Sequence, residues 1–448
     1  MIMKLFYLLL LFDLLSFSGI TIAQNPISPE GIFIADPAGH VWKDGNLYVY
    51  GSLDKSAASY CSDEYYMLST SNLTKWNLHK NVFASSGSND AVLYNNNVLY
   101  APDCIYKNNQ YFLYYCQPDK AAQGVAVSSS PTGPFVNGTP INLHDHNEID
   151  PGIFIDDDGA AYYVWGQFQL KMAKLDPSMK KMDSTTLIEN VINEKNHYFH
   201  EGAFMTKRNG IYYLIYSHMG RKDKPSCIAY ASSKKATGPY KYGGVIIDNE
   251  GCDPANWNNH GSIVAFNEQW YVLYHRTTNG SNSMRKACIE PIYFSKDGSI
   301  NEVEMTSQGA GKPLNAFDTI EARTACLLQG NVRITLLPDQ QEIMGEIMPD
   351  DRIAFKYIDF GNGADSISVK VKAAATEGGF NINLDKPWGP HLGYVHIPAS
   401  TDSTEWKTVG GRFKKITGIH AVWFSFYGNK ASPPVLAIDN MIFHSSNQ

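Results

Sequence analysis

Asp36, Asp150, Glu201 and His260 are the residues of this 448-residue chain whose types and spacing best suit acid–base chemistry. Each opens a similar short stretch: DPAGHVWKDGNLYVY from Asp36, DPGIFIDDDGAAYYVW from Asp150, EGAFMTKRNGIYYLIY from Glu201 and HGSIVAFNEQWYVLY from His260. An ionised carboxylate can take a proton from water while a protonated carboxyl gives one to a departing oxygen. That division needs two carboxyl groups of unlike pKa, and a third ionised carboxylate nearby raises the acid's by repulsion. No metal or organic cofactor is required for such chemistry. Taken singly, each Asp is an ordinary turn residue capping its own hairpin. Four polar residues at one register argue instead that they meet.

The repeat that carries them supplies the means. A fifth copy, APDCIYKNNQYFLYY, starts at Ala101 and offers Asp103 two places on; the front residues are then 65, 49, 51 and 59 positions apart. Each copy reads as a short apolar strand, a tight Gly- or Asn-containing turn and an aromatic return strand. Ser-rich third strands follow most of them: YYMLSTSNLTKW, VAVSSSPTGPF and IAYASSKKATGPY. Repeats of this length and type predict antiparallel blades, and five of them a five-bladed β-propeller. Innermost strands of a propeller line a central channel, so equivalent residues of different blades face one another there. The repeat stops at about Pro313. Beyond it, NVRITLL, RIAFKYIDFG, SISVKVKAAA, NINLDKP, LGYVHIPAS, HAVWFSFYG and VLAIDNMIF predict a β-sandwich or jelly roll. The chain is therefore expected to be all-β, with a propeller over 24–313 and a sandwich over 314–448.

Composition narrows the partners. A net charge of −7 gives no reason to expect nucleic acid or an anionic membrane, and it favours a neutral or weakly charged ligand. The 27 Tyr and 21 Phe favour strands and carbohydrate contacts. Seven cysteines without CxxC spacing exclude the usual zinc and redox motifs and are expected to be mostly small buried hydrophobes. The N-terminus has Lys4, an apolar run and Thr21-Ile22-Ala23, so residues 1–23 read as a secretory leader and the mature chain is expected near Gln24. A secreted or periplasmic protein with no membrane span in its mature chain is the expectation.

The motifs DP at Asp36, IDP at Asp150, EGAF at Glu201 and NHGS at His260, with their spacing, resemble glycoside hydrolase family 43, whose members are five-bladed β-propellers. The resemblance implies an inverting hydrolase that removes arabinose or xylose, and sometimes galactose, from plant polysaccharides or oligosaccharides. It makes Asp36 the general base, Glu201 the general acid and Asp150 the carboxylate that positions the acid and tunes its pKa. Arg276, in YHRTT, is expected to bind substrate hydroxyls, with a blade-edge salt bridge as its alternative. His260 is expected to line the pocket and orient ligand rather than hold calcium, which prefers six to eight oxygens. Among Trp42, Phe154, Trp165, Phe168 and Trp257, most are expected in the core, with Trp165 and Trp257 the candidates for stacking on sugar. The most specific expectation is an exo-acting α-L-arabinofuranosidase. A β-xylosidase or galactofuranosidase of the same fold, or a non-catalytic carbohydrate-binding propeller, are the alternatives; three carboxylates in one pocket argue against the last.

FDTIEA, IAFKYIDFG, NINLDKPWG and AIDNMIF resemble a family 6 carbohydrate-binding module. The resemblance puts Phe355 at the first aromatic position of a sugar cleft, but Ser403 where a stacking Trp often stands and Ala437 where an Asn is expected. Glu321 and Asp439 fit the pattern of a structural calcium site, with Arg323 in place of an acidic ligand. This domain is therefore expected chiefly to pack against the propeller.

Overall fold

A computed structural model describes residues 20–21, 24–118, 123–255, 257–430 and 435–446. The leader expected over 1–23 lies outside these residues, apart from Ile20–Thr21, which pairs with Lys75 and Trp76.

Five antiparallel sheets make up the first domain, and each begins with one of the repeats. Their opening hairpins are Phe33–Val41 with Leu47–Asp54, Tyr100–Lys107 with Gln110–Cys116, Gly152–Ile155 with Ala161–Trp165, Phe199–Arg208 with Ile211–His218, and Ser262–Phe266 with Gln269–Thr278. The turns explain why these segments fold back so tightly. Asn108-Asn109, Asn209-Gly210 and Asn267-Glu268 all have positive φ at both positions, as a two-residue turn matched to the twist of its strands demands. Later strands add outward from each hairpin in sequence order. The first strands of consecutive sheets touch in cyclic order, and Ser262–Phe266 of the fifth returns to Phe33–Val41 of the first. The sheets therefore close into a five-bladed ring with their first strands innermost.

Ring closure is secured by the segment that runs up to blade one from Asn25. The Ile27 N–H donates to the Ala287 carbonyl at 2.8 Å, lacing the N-terminal segment onto the third strand of blade five, Ser281–Ile292. The buried Asn25 side chain donates to the Ile289 carbonyl (3.0 Å) and to Glu290 Oε1 (2.8 Å), and accepts from the Ile289 N–H (2.9 Å). Between blades, core clusters of Tyr, Phe, Val and Met fill the wedges. Asp103 belongs to this scaffold and not to the channel. It accepts from His40 of blade one at 2.6 Å and from the Ile153 N–H of blade three at 2.8 Å, tying three blades together.

The second domain is a sandwich of two six-stranded sheets, and its first strand starts at Leu314. One sheet contains Arg352–Asp359, Ile419–Gly428 and Gly378–Leu384; the other contains Ala364–Ala373, Val435–His444 and Trp406–Ile416. Alternation along Ala364–Ala373 sends Ile367, Val369 and Val371 inward, onto Phe355, Phe380 and Phe424 of the facing sheet. The sandwich is bolted to the propeller by polar contacts. Asn279 exchanges hydrogen bonds with Ile334 and Leu336 at 2.8 Å each, and a fully buried ion pair joins Lys286 to Glu342. Among the described residues no helix is long and apolar enough to cross a membrane. All seven cysteines are buried.

Candidate active site

All five front residues, Asp36, Ala101, Asp150, Glu201 and His260, line one cavity of about 250 Å³ at the channel mouth. The backbone aims them there. In blade one the register slips between Ala35 and Ala38, and Asp36 sits in the slip at φ +52°. Glu201 lies between two such irregularities of its strand, and Asp150 stands at φ +58° just ahead of Gly152–Ile155. Bulges bend a strand and re-aim a side chain, and Asp tolerates the left-handed region better than most residues. The glycine after Glu201 is required twice over. Gly202 has φ +69°, and a Cβ there would lie 2.8 Å from the His260 ring.

Asp36 is built to stay ionised. Burial alone would raise its pKa, but the Arg285 guanidinium at 2.8 Å, with His260 at 3.5 Å, holds the carboxyl far below the usual range. Ser52 donates to its other oxygen at 2.6 Å. Arg285 is fixed in turn by Asp54, which accepts from Nε and Nη2 at 2.9 Å each. His275 lies behind Asp36 and accepts the Asp36 N–H on Nδ1 at 3.2 Å, which leaves its own proton on Nε2, facing Asn258. Burial, with Arg285 adding to it, depresses this imidazole to about 3, so it is a neutral prop.

Asp150 has the opposite surroundings. The Cys116 thiol lies 3.9 Å from its Oδ1. Burial, reinforced by repulsion from Glu201 and Asp36, pushes it up to about 7 despite His260. The expectation set repulsion to work on Glu201; the structure shows it acting on Asp150. Glu201 is anchored by Gln167, which donates to Oε2 at 2.8 Å, with His200 Nε2 at 3.9 Å. His260 would be neutralised by burial, yet its contact with Asp36 and the charges of Asp150 and Glu201 raise it to about 9. Near neutral pH the cluster therefore holds an anionic Asp36, a cationic His260 and an Asp150 on the edge of ionisation.

Trp257 lines the cavity as expected. Two other expected substrate contacts do not. Arg276 is buried and turned away from the axis, donating to the Tyr274 hydroxyl (2.8 Å) and the Thr306 carbonyl (2.5 Å) beside Glu290. Successive side chains of a strand point to opposite faces. The strand that sends His275 to Asp36 must send Arg276 away. Trp165 is fully buried in the wedge core, and its Nε1 donates to the His146 carbonyl at 2.6 Å. The cavity's guanidinium is Arg285, on the third strand of blade five and so outside the repeat register. Gln167, His200, Tyr60 and Asn258 were missed for the same reason, since they stand on connecting segments or strand flanks. A larger cleft of about 1470 Å³ lies between the outer strands of blades one and two, and among the described residues that line it Asp90 is the one carboxylate.

In the sandwich, Glu321 accepts from Arg323 at 2.6 Å, and Asp439 accepts from Lys370 at 2.7 Å and Gln341 at 2.7 Å. Two carboxylates already paired with cations do not fit calcium, which takes six to eight oxygens. Among the described residues no group of three or more His, Cys, Asp or Glu is placed to hold a metal. Phe355 and Ala437 are buried in the core of the sandwich.

A buried anionic carboxylate, a second carboxyl anchored across one small cavity and a third poised between them define an acid–base hydrolytic site on a propeller. Comparison with known proteins gives that class its family. The chain matches Glycosyl hydrolases family 43 over residues 23–300 and Carbohydrate binding module (family 6) over residues 329–445. A xylosidase/arabinosidase of Thermoclostridium stercorarium is 30% identical, the match covering 90% of this chain and 96% of that protein. An arabinoxylan arabinofuranohydrolase of Paenibacillus polymyxa is 25% identical over 91% of this chain and 72% of its own. A solved β-xylosidase/α-arabinofuranosidase from a compost microbial metagenome, in complex with xylotriose, has a TM-score of 0.53 at 27% identity and covers 64% of this chain and 98% of that one. An arabinoxylan arabinofuranohydrolase from Bacillus subtilis shares the fold across both domains, with a TM-score of 0.55 at 24% identity over 95% of this chain and 98% of that one. The chain belongs to glycosyl hydrolase family 43 and is a glycosidase with a C-terminal family 6 module.

Proposed function

We propose that this glycosidase is exo-acting and inverting, and that it removes single terminal pentosyl units, α-L-arabinofuranosyl first among them, from arabinoxylan-type polymers or their fragments. The observation that carries the reading is the meeting of Asp36, Asp150 and Glu201 in one cavity of about 250 Å³. That is smaller than the ~300–1,000 Å³ of sites for drug-sized ligands and suits one sugar ring.

In this reading Asp36 takes a proton from water as the water oxygen bonds to the anomeric carbon. The glycosidic C–O bond breaks on the opposite face, and Glu201 gives its proton to the departing oxygen. Arg285 keeps Asp36 basic only as far as a well-stabilised carboxylate allows, so its main service is to keep that oxygen ionised and aimed. Gln167 fixes Glu201, while Asp150 and His260 set the charge around it. The names of the relatives, arabinosidase and arabinofuranohydrolase, support the pentose. Xylosidase in the first of those names supports β-xylosyl removal as a second reading. The leader-like N-terminus supports an extracytoplasmic reaction.

The test is hydrolysis of methyl and aryl α-L-arabinofuranosides, β-D-xylosides and β-D-galactofuranosides, with the first product followed by proton NMR. Arabinofuranoside cleavage with an inverted anomer is expected. A retained anomer would reject the mechanism, and xyloside cleavage alone would move the assignment to the second reading.

A further inference from the structure

We propose that Phe168 forms a sugar-stacking subsite just outside the cavity, on the Glu201 side, where the next ring of the polysaccharide backbone rests. The inference depends on Glu201 being the group that protonates the departing oxygen.

The turn Gly166-Gln167-Phe168 is held more firmly than its exposure requires. The N–H groups of Gly166, Gln167 and Phe168 donate to the Ile149 carbonyl (3.0 Å), Glu148 Oε2 (3.1 Å) and the His200 carbonyl (2.7 Å). The Phe168 carbonyl accepts from the Glu194 N–H at 3.0 Å, and Glu148 is itself fixed by Lys171 at 2.5 Å. This framework imposes φ +62° on Phe168. A bulky residue is an outlier in that region, and such strain persists where the surroundings over-determine it, often at ligand sites. The fold gains little from the ring, which is 51% exposed and meets the His200 ring edge-on at 5.2 Å. Core packing therefore does not account for a phenylalanine here.

Its neighbours say what would. Gln167 and His200 both line the cavity and both approach the Glu201 carboxylate, at 2.8 and 3.9 Å. Phe168 is one step further out from each. A general acid must reach the glycosidic oxygen, so the departing part of the substrate leaves past the acid. A backbone sugar following that path crosses Gln167 and His200 and arrives over the Phe168 ring. An apolar aromatic face is the surface on which the C–H face of a pyranose packs. Trp257, by contrast, lines the cavity itself and belongs with the sugar held there. The ligand class is thus an extended chain of neutral pyranoses, and the site discriminates polymer-linked from free terminal sugars.

Phe168→Asn is the informative variant, because Asn accepts the left-handed backbone. The readout is the ratio of kcat/KM for arabinose carried on a xylo-oligosaccharide to kcat/KM for methyl α-L-arabinofuranoside. The ratio should fall about tenfold, the scale of one lost aromatic contact. Phe168→Tyr should restore it, and the Tm of Phe168→Asn should be no lower than that of the wild type. A change in the ratio of less than about twofold, or a fall tracking a lower Tm that Phe168→Tyr does not repair, would overturn the proposal. Calorimetric titration of xylotetraose into Glu201→Gln protein, with and without Phe168→Asn, reads the subsite without turnover. About tenfold weaker binding in the double variant is expected, and equal binding overturns the subsite. If the wild type cleaves none of the glycosides, the proposed function fails while the titration still decides Phe168.

Discussion

The axial carboxylates of the propeller and the two candidate carboxylates of the sandwich look alike in sequence and differ in their company. Asp36, Asp150 and Glu201 converge from three blades on one cavity, where only Asp36 has a guanidinium at contact distance. Glu321 and Asp439 are each paired locally with a side-chain cation, Arg323 or Lys370. The first arrangement leaves charge unbalanced and protons free to move; the second satisfies its charges and stops there. Reactivity here comes from incomplete neutralisation, enforced by a ring that brings distant strands together.

Substitution on the two sides gives the sharpest contrast. Asp36→Asn and Glu201→Gln should each lower kcat/KM for an arabinofuranoside by about 10³-fold, within the range for losing a general base or acid. Glu321→Gln and Asp439→Asn should leave it within about twofold, since each is paired inside the sandwich and neither lines the cavity. Kinetics on all four proteins check this. Comparable losses from the sandwich variants would mean that the second domain reaches into the chemistry.

Two buried arginines extend the comparison into the propeller. Arg285→Met strips two buried carboxylates, Asp36 and Asp54, of their common partner and should cost about 3–5 kcal/mol in denaturant titration. The acid limb of its pH–rate profile should also move upward, because Asp36 must be ionised to work and loses the charge holding its pKa down. Arg276→Met strips one buried carboxylate, Glu290, of its cation, while Asn25, Tyr274 and Thr306 still donate to it. Burial already pushes Glu290 up to about 7, so below that pH it can take a proton and relieve the loss. This variant should be the milder of the two and keep the pH–rate profile of the wild type. A shifted profile in Arg276→Met would show that the two arginines act as one network.

How far the sequence carries can be seen residue by residue. The hairpin turns are local chemistry, Asn and Gly at positive φ, and they repeat, so the blades and the five front positions were legible from one chain. Ala101 was legible too, as a blade whose front position carries no charge. Arg285 was not, because it enters from a third strand whose distance from the axis no repeat encodes. Arg276 lies inside the second strand of blade five, Gln269–Thr278, one residue from His275 and on the opposite face, and its motif alone does not say which face it takes. Trp165 shows the same limit, since an aromatic at a strand end serves core or pocket alike until the wedge packing is known. In the sandwich, Glu321 and Asp439 were matched one at a time, and the cations that occupy them come from side chains that pattern alone does not pair.

The finest division lies inside the cavity, between Asp36 and Asp150. Both are buried, both have left-handed backbone and both stand at front positions, yet one is held ionised and the other up to about 7. The linkage has opposite signs for the two. Asp150's folded pKa lies above its unfolded value near 3.8, so its contribution to stability is full below that value and is lost as pH rises through about 7. Asn at this position carries no such loss. The stability of Asp150→Asn relative to the wild type should therefore climb between about pH 4 and 7, by at most about 4 kcal/mol for a shift of some three pKa units. His260 remains charged across this window, since it is held up to about 9, so the slope reports Asp150. Thermal melts at matched ionic strength measure it. A flat difference would place Asp150 with Asp36 as a permanently ionised carboxylate, and the unbalanced charge that sets this cavity apart would then have to sit on Glu201 alone.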